Sequence, residues 1–332
     1  MERVRKIAVI GSNSFSGSDF IDLLLDDPAY EVIGISRSPE KSALFLPYLK
    51  RDSSRFSFHQ LDLNHHLGKM LELFDSFRPE YIVNFAAQSE VAPSWEHPEQ
   101  WFRTNAVALA ELVNRLKNRD YLRRYLHISS PEIYGTCSGT VTESAPYNPS
   151  TPYAASKAAA DMLLLACFRQ FNFPVVLVRA TNVYGAHQQL FKIIPRAVIK
   201  IRSGEKIELH GGGMAVKSYI HVRDVSRGEL SAMRDGTAGE IYHLSPDAGI
   251  SILELVGLIC RMTGVDVADC VRSAPERPGQ DAAYIIDSSR ARQTLGWRPG
   301  VSLEDGVREV INWIDRNWET ISRLEQNYVH IP

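Results

Sequence analysis

A short apolar strand that runs directly into a glycine turn and a helix is the feature that most constrains the fold of this chain. Residues 6–10 read Lys-Ile-Ala-Val-Ile, and the turn that follows extends from Gly11 to Gly17. Gly11 permits a tight bend, and Gly17 lets the helix pack closely against the strand. Because the free amides of a helix N-terminus attract phosphate, the turn predicts a pyrophosphate site.

Strands and helices alternate over the first 180 residues. Predicted strands cover residues 6–10, 31–36, 56–61, 81–85, 124–128 and 175–179, and predicted helices cover residues 17–25, 67–77, 105–116 and 152–169. Such alternation is typical of an α/β fold with a doubly wound parallel sheet, the Rossmann arrangement. Its ligand site lies at the carboxyl ends of the strands, near the switch in strand order.

The character of the chain changes after residue 180. Shorter segments follow, with predicted helices at residues 252–263 and 303–318 and strand-like stretches at 217–222 and 240–244. We therefore expect residues 1–180 to form an NAD(P)-binding domain, with sheet strands returning near 217–244. Residues 181–332 should form mainly a smaller C-terminal substrate-binding region.

Composition excludes several classes of partner. A formal net charge of -2 gives no electrostatic footprint for nucleic acid or a membrane surface. No apolar stretch approaches the roughly 20 residues of a transmembrane helix, and the start of the chain is too poor in apolar residues for a signal peptide. The cysteines show no CxxC spacing, which argues against a metal site or a disulfide framework. These features predict a cytoplasmic protein that needs no metal.

Tyr153 and Lys157 form the strongest catalytic candidate. Four residues apart on a predicted helix, they project from one face. A lysine ammonium beside a phenol lowers the tyrosine pKa, so Tyr153 is predicted to act as a general base near neutral pH. Glu132 offers a second base from elsewhere in the chain. Two bases suggest two proton abstractions, which is more than a simple alcohol dehydrogenase needs.

The end of the second strand bears on cofactor choice. An acidic residue there favours NAD, because it binds the ribose hydroxyls, whereas an arginine can pair with the 2′-phosphate of NADP. The chain reads Ile35-Ser-Arg-Ser38, so it carries Arg37 and no carboxylate. We expect NADP, with NAD as the alternative. The alternative is that Arg37 does not select the cofactor and instead stacks on adenine or lies in solvent.

Ordered motifs run nearly the whole length of the chain. They are the Gly11 to Gly17 turn, Leu61-Asp-Leu63, Asn84-Phe-Ala-Ala-Gln-Ser89, Thr104-Asn105, Ile128-Ser-Ser-Pro-Glu-Ile-Tyr-Gly135, Tyr153-Ala-Ala-Ser-Lys157, Arg179-Ala-Thr-Asn-Val-Tyr-Gly185, Arg277-Pro-Gly279 and Leu295-Gly-Trp-Arg-Pro299. Together they resemble the extended short-chain dehydrogenase/reductase family, and within it the nucleotide-sugar 4,6-dehydratases.

That resemblance implies a reaction on a nucleotide sugar. Tyr153 takes the O4 proton while hydride leaves C4, Lys157 holds the cofactor ribose, and Ser130 hydrogen-bonds O4. Glu132 then removes the C5 proton, the C6 hydroxyl departs, and hydride returns to C6 to give a 4-keto-6-deoxy sugar. The implied cofactor-binding residues are Gly11, Ser14, Phe15, Ser16, Gly17, Arg37, Asp62, Leu63, Ala86, Ala87, Asn105, Tyr153 and Lys157.

Substrate contacts also follow from the resemblance. The implied residues are Ser89, Glu90, Asn182, Lys192, Lys217 and Arg277. The competing interpretation of Asn182 is an amide that caps a turn. For Lys192 and Arg277 it is a solvated charge.

Two positions depart from the family pattern. Thymidine-linked dehydratases carry an aspartate where this chain has Pro131, and guanosine-linked ones carry a serine. Proline has no side-chain proton to give. Water or another hydroxyl must therefore protonate the departing C6 hydroxyl, or the product differs. Lys217 stands where many relatives have an arginine, and it lacks the bidentate fork.

Other functions on the same fold stay open. A 4-epimerase needs Ser130, Tyr153 and Lys157 but no C5 base, so Glu132 argues against it. A uronate decarboxylase also uses a serine–glutamate pair, but would need an arginine for the carboxylate. A cofactor-binding regulator that has lost catalysis would normally lose the tyrosine or the lysine.

Two helices predict a homodimer. Residues 105–116 and 153–169 resemble the pair that forms a four-helix dimer interface in the family. Apolar residues wrap around more of the second helix than one buried face needs. They are Met162, Leu163, Leu164, Leu165, Ala166 and Phe168.

Overall fold

A computed structural model of the protein describes residues 4–51, 54–136, 139–275 and 285–331. The strands, in chain order, are β1 (Arg5–Ile10), β2 (Tyr30–Ser36), β3 (Phe56–Gln60), β4 (Tyr81–Asn84), β5 (Arg124–Ile128), β6 (Thr140–Val141), β7 (Val175–Ala180), β8 (Asn182–Tyr184), β9 (Ile207–His210), β10 (Val216–Lys217), β11 (Tyr219–His221), β12 (Ile241–Leu244), β13 (Ile250–Ser251), β14 (Val271–Ala274) and β15 (Ile285–Ile286).

The α-helices are α1 (Phe15–Leu24), α2 (Leu67–Phe77), α3 (Pro98–Phe102), α4 (Ala108–Leu116), α5 (Pro152–Phe171), α6 (Ile193–Arg202), α7 (Val222–Asp235), α8 (Ile252–Thr263), α9 (Val267–Cys270), α10 (Ser289–Thr294), α11 (Leu303–Arg316) and α12 (Trp318–Ile321). A π-helical turn, Arg103–Val107, joins α3 to α4, and a 3-10 turn, Pro131–Tyr134, follows β5. None of the helices in the described ranges is long and apolar enough to cross a membrane.

Seven of the strands in the described residues form one sheet, in the order β12-β7-β5-β4-β1-β2-β3. Every neighbouring pair is parallel. The order reverses at β1, which lies between β2 and β4, so the cleft at the switch point opens beyond the carboxyl end of β1. The predicted doubly wound α/β fold is confirmed.

Both faces of this sheet are covered by helices. Along β1, Ile7 and Val9 belong to a core that includes Phe20 of α1, whereas Ala8 and Ile10 belong to a core that includes Leu109 of α4. Successive side chains of a strand point to opposite faces, so a continuous apolar run is what a sheet buried on both sides requires.

The region after β7 has a core of its own, formed largely by α6, α8 and α11. The predicted strand at residues 240–244 is present as β12, which pairs with β7. Residues 217–222 do not return to the large sheet, which corrects the prediction. They contribute instead to β10, which pairs with β13, and to β11, which pairs with β8.

A buried ion pair joins α5 to β7 at the carboxyl edge of the large sheet. Arg179 on β7 and Asp161 on α5 have no exposed side-chain surface, and their Nη2 and Oδ2 atoms are 2.8 Å apart. Ser129 donates to the same Asp161 oxygen at 2.7 Å. Arg179 also donates to the hydroxyls of Tyr134 and Tyr147. One cluster therefore fixes the end of β5, the 3-10 turn, α5 and β7 relative to one another.

Breaking this pair should destabilise the fold strongly. Arg179→Met leaves the Asp161 carboxylate buried without its cation, and we expect a loss of about 3–5 kcal/mol in the free energy of unfolding. The matched control is Arg202→Met, since Arg202 pairs with Asp315 on a half-exposed surface and should contribute below about 1 kcal/mol. Chemical denaturation measures both, and equal losses would contradict the argument.

Candidate active site

The turn after β1 requires glycine at both ends. Gly11 has a φ of +89°, and a Cβ there would lie 2.7 Å from the Ala86 nitrogen. A Cβ on Gly17 would lie 2.5 Å from the Gly11 carbonyl oxygen. Ser14 is the N-cap of α1, where its Oγ accepts from the Gly17 amide at 3.0 Å. The amides of Phe15 and Ser16 belong to the first helical turn, which offers N–H groups to an anion.

A cavity of about 380 Å³ opens beyond this turn. Nine of the predicted site residues line it, namely Gly11, Ser14, Arg37, Asp62, Leu63, Ala86, Ala87, Ser89 and Glu90. Asn13 and Asn64 line it too, and each has a buried Oδ1 atom without a hydrogen-bond partner. Unpaired buried acceptors beside a phosphate-type turn suit an adenosine-containing ligand, so these residues fit a nicotinamide dinucleotide.

The segment after β2 places two positively charged side chains in the wall of the same cavity. Arg37 and Lys41 both line it, and the Lys41 ammonium donates to the Asn13 carbonyl oxygen at 3.0 Å. No carboxylate stands at residues 36–38. Lys41 was not among the residues predicted from the sequence. The signal that could have identified it is a second cation in the same irregular segment after β2.

The side chain of Asn105 forms its hydrogen bonds with other residues of the protein. It lies on the π-helical turn, accepts from the Gln88 amide at 2.8 Å and donates to the Gln88 carbonyl at 3.0 Å. Its amide also donates to the Ser156 hydroxyl, which in turn donates to the Tyr153 carbonyl. Asn105 is absent from the cavity wall, whereas Gln88 lines it. Asn105 therefore orients a cavity residue, and its direct contact with a cofactor stays a prediction.

The predicted catalytic side chains come from two elements. Ser130 is the N-cap of the 3-10 turn, with its Oγ accepting from the Glu132 amide at 3.2 Å, and Pro131 is buried at the first position of that turn. Tyr153 lies in the first turn of α5, which begins at Pro152 after the N-cap Thr151. A hydrogen bond joins the side chains of Ser130 and Tyr153, and the Glu132 charge acts on the same phenol.

The electrostatics of Tyr153 differ from the prediction. Its pKa is raised, first by burial and then by the Glu132 carboxylate, while the hydrogen bond with Ser130 lowers it. The expected lowering of this pKa by Lys157 is wrong for this structure. The reason is that the Lys157 ammonium is directed away from the phenol. It donates to the Ile128 carbonyl at 2.7 Å and lies 3.3 Å from His127 Nε2.

Lys157 and His127 are both buried beside the catalytic turn. Burial lowers the pKa of Lys157 to about 8, and the Asp161 carboxylate opposes that shift. Burial, followed by the Lys157 charge, lowers the pKa of His127 well below its ordinary value, so the ring is neutral and can accept from the ammonium. Sequence reasoning missed His127, because a histidine inside a buried strand is usually a core residue.

The predicted substrate-binding residues lie in different surroundings. Lys192, the N-cap of α6, and Glu90, in the loop that follows β4, form an ion pair of 2.7 Å across the cleft. Asn182 lies on β8 and donates to the Ser218 carbonyl at 3.1 Å, so its side chain does not cap a turn, and its contact with substrate stays a prediction. Lys217 ends the short strand β10. Arg277 lies outside the described residues.

Comparison with known proteins places the chain among nucleotide-sugar enzymes. A model of the GDP-mannose 4,6-dehydratase family matches residues 9–310. A dTDP-glucose 4,6-dehydratase of Neisseria meningitidis serogroup B is 28% identical, over 96% of this chain and 96% of that protein. One of Streptomyces niveus is 36% identical, over 74% of each chain.

Solved structures agree in fold. The dTDP-glucose 4,6-dehydratase DesIV of Streptomyces venezuelae, bound to NAD and TYD, superposes with a TM-score of 0.87 at 31% identity. That match covers 95% of this chain and 98% of DesIV. A UDP-glucuronic acid 4-epimerase of Bacillus cereus, bound to UDP-glucuronic acid and NAD, superposes with a TM-score of 0.85 at 26% identity, over 94% and 99% of the two chains.

Proposed function

This chain belongs to the GDP-mannose 4,6-dehydratase family, and on that premise we propose that it is a nucleotide-sugar 4,6-dehydratase that yields a 4-keto-6-deoxy sugar. It is an enzyme of the lyase class that depends on a nicotinamide dinucleotide. Its relatives act on dTDP-glucose, which makes a nucleoside diphosphate hexose the substrate class. The cytoplasmic location stays a prediction.

The observation that supports dehydration best is the placement of Glu132 beside the Ser130–Tyr153 pair. Glu132 is partly buried, and its charge raises the pKa of Tyr153. When O4 of a sugar faces Tyr153, a carboxylate so close to the phenol can reach the neighbouring carbon, C5. Oxidation at C4 acidifies the C–H bonds on the neighbouring carbons. A carboxylate at this position can therefore remove the C5 proton.

The residues divide the proton transfers between them. A bound nicotinamide dinucleotide would supply the hydride acceptor and, when reduced, the hydride donor. Tyr153, hydrogen-bonded to Ser130, takes the O4 proton and then gives it up to solvent, because the 4-keto product no longer carries it. Glu132 takes the C5 proton, and Lys157 would bind the ribose of the dinucleotide. The charge of Lys157 is lost as pH rises through about 8, its folded-state pKa.

Pro131 changes how the departing hydroxyl is protonated. The side chain offers no proton, and it is buried in the turn that carries Glu132. The C6 oxygen must therefore take its proton from water or from another hydroxyl at the cleft. We assign Ser89, Glu90, Asn182, Lys192, Lys217 and Arg277 to substrate binding, as the resemblance implies.

A 4-epimerase is the second candidate. The observation that favours it is the TM-score of 0.85 with the Bacillus cereus 4-epimerase, because Ser130, Tyr153 and Lys157 would be sufficient for that chemistry. Glu132 distinguishes the two functions, since epimerisation at C4 leaves the C5 proton in place.

Glu132→Gln should therefore separate the steps. With dTDP-glucose in deuterium oxide, the native chain should incorporate solvent deuterium at C5 and lose O6. Glu132→Gln should slow both by at least about a hundredfold, because the C5 base is gone. Nuclear magnetic resonance and mass spectrometry measure the two outcomes.

Two controls accompany this experiment. Glu319→Gln removes a carboxylate that is 86% exposed on α12 and should leave both rates unchanged. Tyr153→Phe should stop the reaction before the C5 proton becomes acidic. Inversion at C4 without deuterium at C5 in the native chain would favour the epimerase instead.

We further propose NADP as the preferred dinucleotide. Arg37 and Lys41 line the cavity at the end of β2, and both can pair with a 2′-phosphate. The solved relatives contain NAD, so the preference would distinguish this chain from them. Ser36, at the position where NAD enzymes present a carboxylate, accepts from the Asn13 amide at 2.9 Å.

Arg37→Ala should shift cofactor preference. Loss of a charged donor to the 2′-phosphate should raise the Kd for NADP about 10- to 100-fold relative to that for NAD. Arg316→Ala, an exposed arginine on α11, is the matched control and should leave the ratio unchanged. Calorimetric titration with both dinucleotides gives the ratio, and tighter binding of NAD by the native chain would overturn the assignment.

We also propose the homodimer. Met162 on α5 is 61% exposed and Val107, at the end of the π-helical turn, is 52% exposed. These elements pack against each other, and we infer that their exposed apolar side chains belong to the surface that a second copy covers.

Met162→Glu should prevent that association. Buried carboxylates from two copies would face an apolar surface, so we expect a monomer by light scattering at micromolar concentration. Met214→Glu is the control, because Met214 is even more exposed, at 69%, but lies far along the chain after the Gly211–Gly213 turn. A Met162→Glu dimer would exclude this surface as the interface.

A further inference from the structure

The segment after α12 returns across the mouth of the dinucleotide cavity. We call residues 327–331 the strap. Tyr328, Val329 and Ile331 line the same cavity as Gly11 and Arg37. The sequence motifs of the site do not include any of these strap residues.

One end of the strap is anchored on α3. The His330 ring stacks on buried Trp101, with centroids 5.2 Å apart and planes at 15°, and on His97 at 5.6 Å and 12°. Its Nε2 donates to Gln100 Oε1 at 2.7 Å, and its Nδ1 accepts from the Tyr328 hydroxyl at 3.1 Å. Two stacked rings and two hydrogen bonds make a specific seat for this histidine.

The next residue bridges the two walls of the cavity. The Ile331 carbonyl accepts from Arg37 Nη2 at 2.8 Å and from Gln88 Nε2 at 3.0 Å. Arg37 follows β2 and Gln88 follows β4, and these strands flank β1 in the sheet. The strap therefore passes above the glycine turn that ends β1.

A third contact reaches the substrate-binding region. Tyr328 packs edge-on against Phe191, with ring centroids 5.3 Å apart and planes at 76°. Phe191 precedes Lys192, whose ammonium pairs with Glu90 across the cleft. The strap thus joins both sides of the site.

We propose that the strap is part of the dinucleotide site and retains the bound cofactor, an inference that rests on the proposed function for the identity of the ligand. A segment that plugged the cavity in competition with the cofactor would bury its apolar side chains there. Val329 and Ile331 instead stay 65% and 59% exposed, and a cavity of about 380 Å³ remains beneath them. Arg37 can bind the Ile331 carbonyl and a phosphate together, because a guanidinium carries five N–H donors.

The test is the rate of cofactor release. The full chain and a chain lacking residues 327–332 are loaded with NADPH, and release is followed by fluorescence after a chase with excess NADP. Loss of the bridging hydrogen bonds and of the stacked anchor should speed release by at least about tenfold. Unchanged release would overturn the proposal, and slower release or tighter binding would show a competing plug instead.

A milder variant guards against misfolding of the shortened chain. His330→Ala removes the anchor and should also speed release, whereas Arg323→Ala changes a residue that is 76% exposed and lies before the strap and should not. Thermal unfolding confirms that each variant is folded. If the strap variants release the dinucleotide faster but the full chain shows no solvent exchange at C5, only the proposed function is refuted. If the full chain binds no dinucleotide, the proposed function and the role of the strap are both refuted.

Discussion

The catalytic geometry of this protein depends on the buried ion pair between Arg179 and Asp161. Tyr153, Lys157 and Asp161 follow one another at intervals of four residues on α5, so they form a single stripe. Anchoring Asp161 to β7 therefore sets the rotation and height of the whole stripe. Because Arg179 also holds Tyr134 in the 3-10 turn, the same pair sets the distance between that stripe and Glu132. Removing Arg179 alone would cost stability as well, because it leaves the Asp161 charge buried without a partner.

Burial acts in opposite directions on the two central groups of the site. It raises the pKa of Tyr153 and lowers that of Lys157, because a low-dielectric environment disfavours the charged form of either. Without a cation facing the phenol, Tyr153 is therefore held as a neutral hydrogen-bond donor.

Local patterns predicted most of the large sheet, because each strand and its covering helix carry their own period of apolar residues. Helices α6 and α7 were missed, and residues 217–222 were assigned to the wrong sheet. Helix α6 is held by packing against α8 and α11, whereas α7 packs on α1 against the large sheet, so both depend on distant parts of the chain. The direction of the Lys157 ammonium and the contact of Ile331 with Arg37, 294 residues away in sequence, depend on tertiary structure. No local signal encodes either.

Pro131 and the strap affect two different parts of the same catalytic cycle, the protonation of the departing hydroxyl and the retention of the cofactor. Proline suits the first position of a 3-10 turn, since its fixed φ matches and its missing N–H would have had no partner there. The turn that carries Glu132 is thereby stiffened at the loss of a proton donor, so water or another hydroxyl must protonate the departing C6 hydroxyl. Water entry at the sugar end and tight closure at the adenosine end are compatible, because the hydride taken from C4 returns to C6 in the same turnover. An enzyme that regenerates its cofactor in place has no need to release it, so a strap that slows release does not slow catalysis.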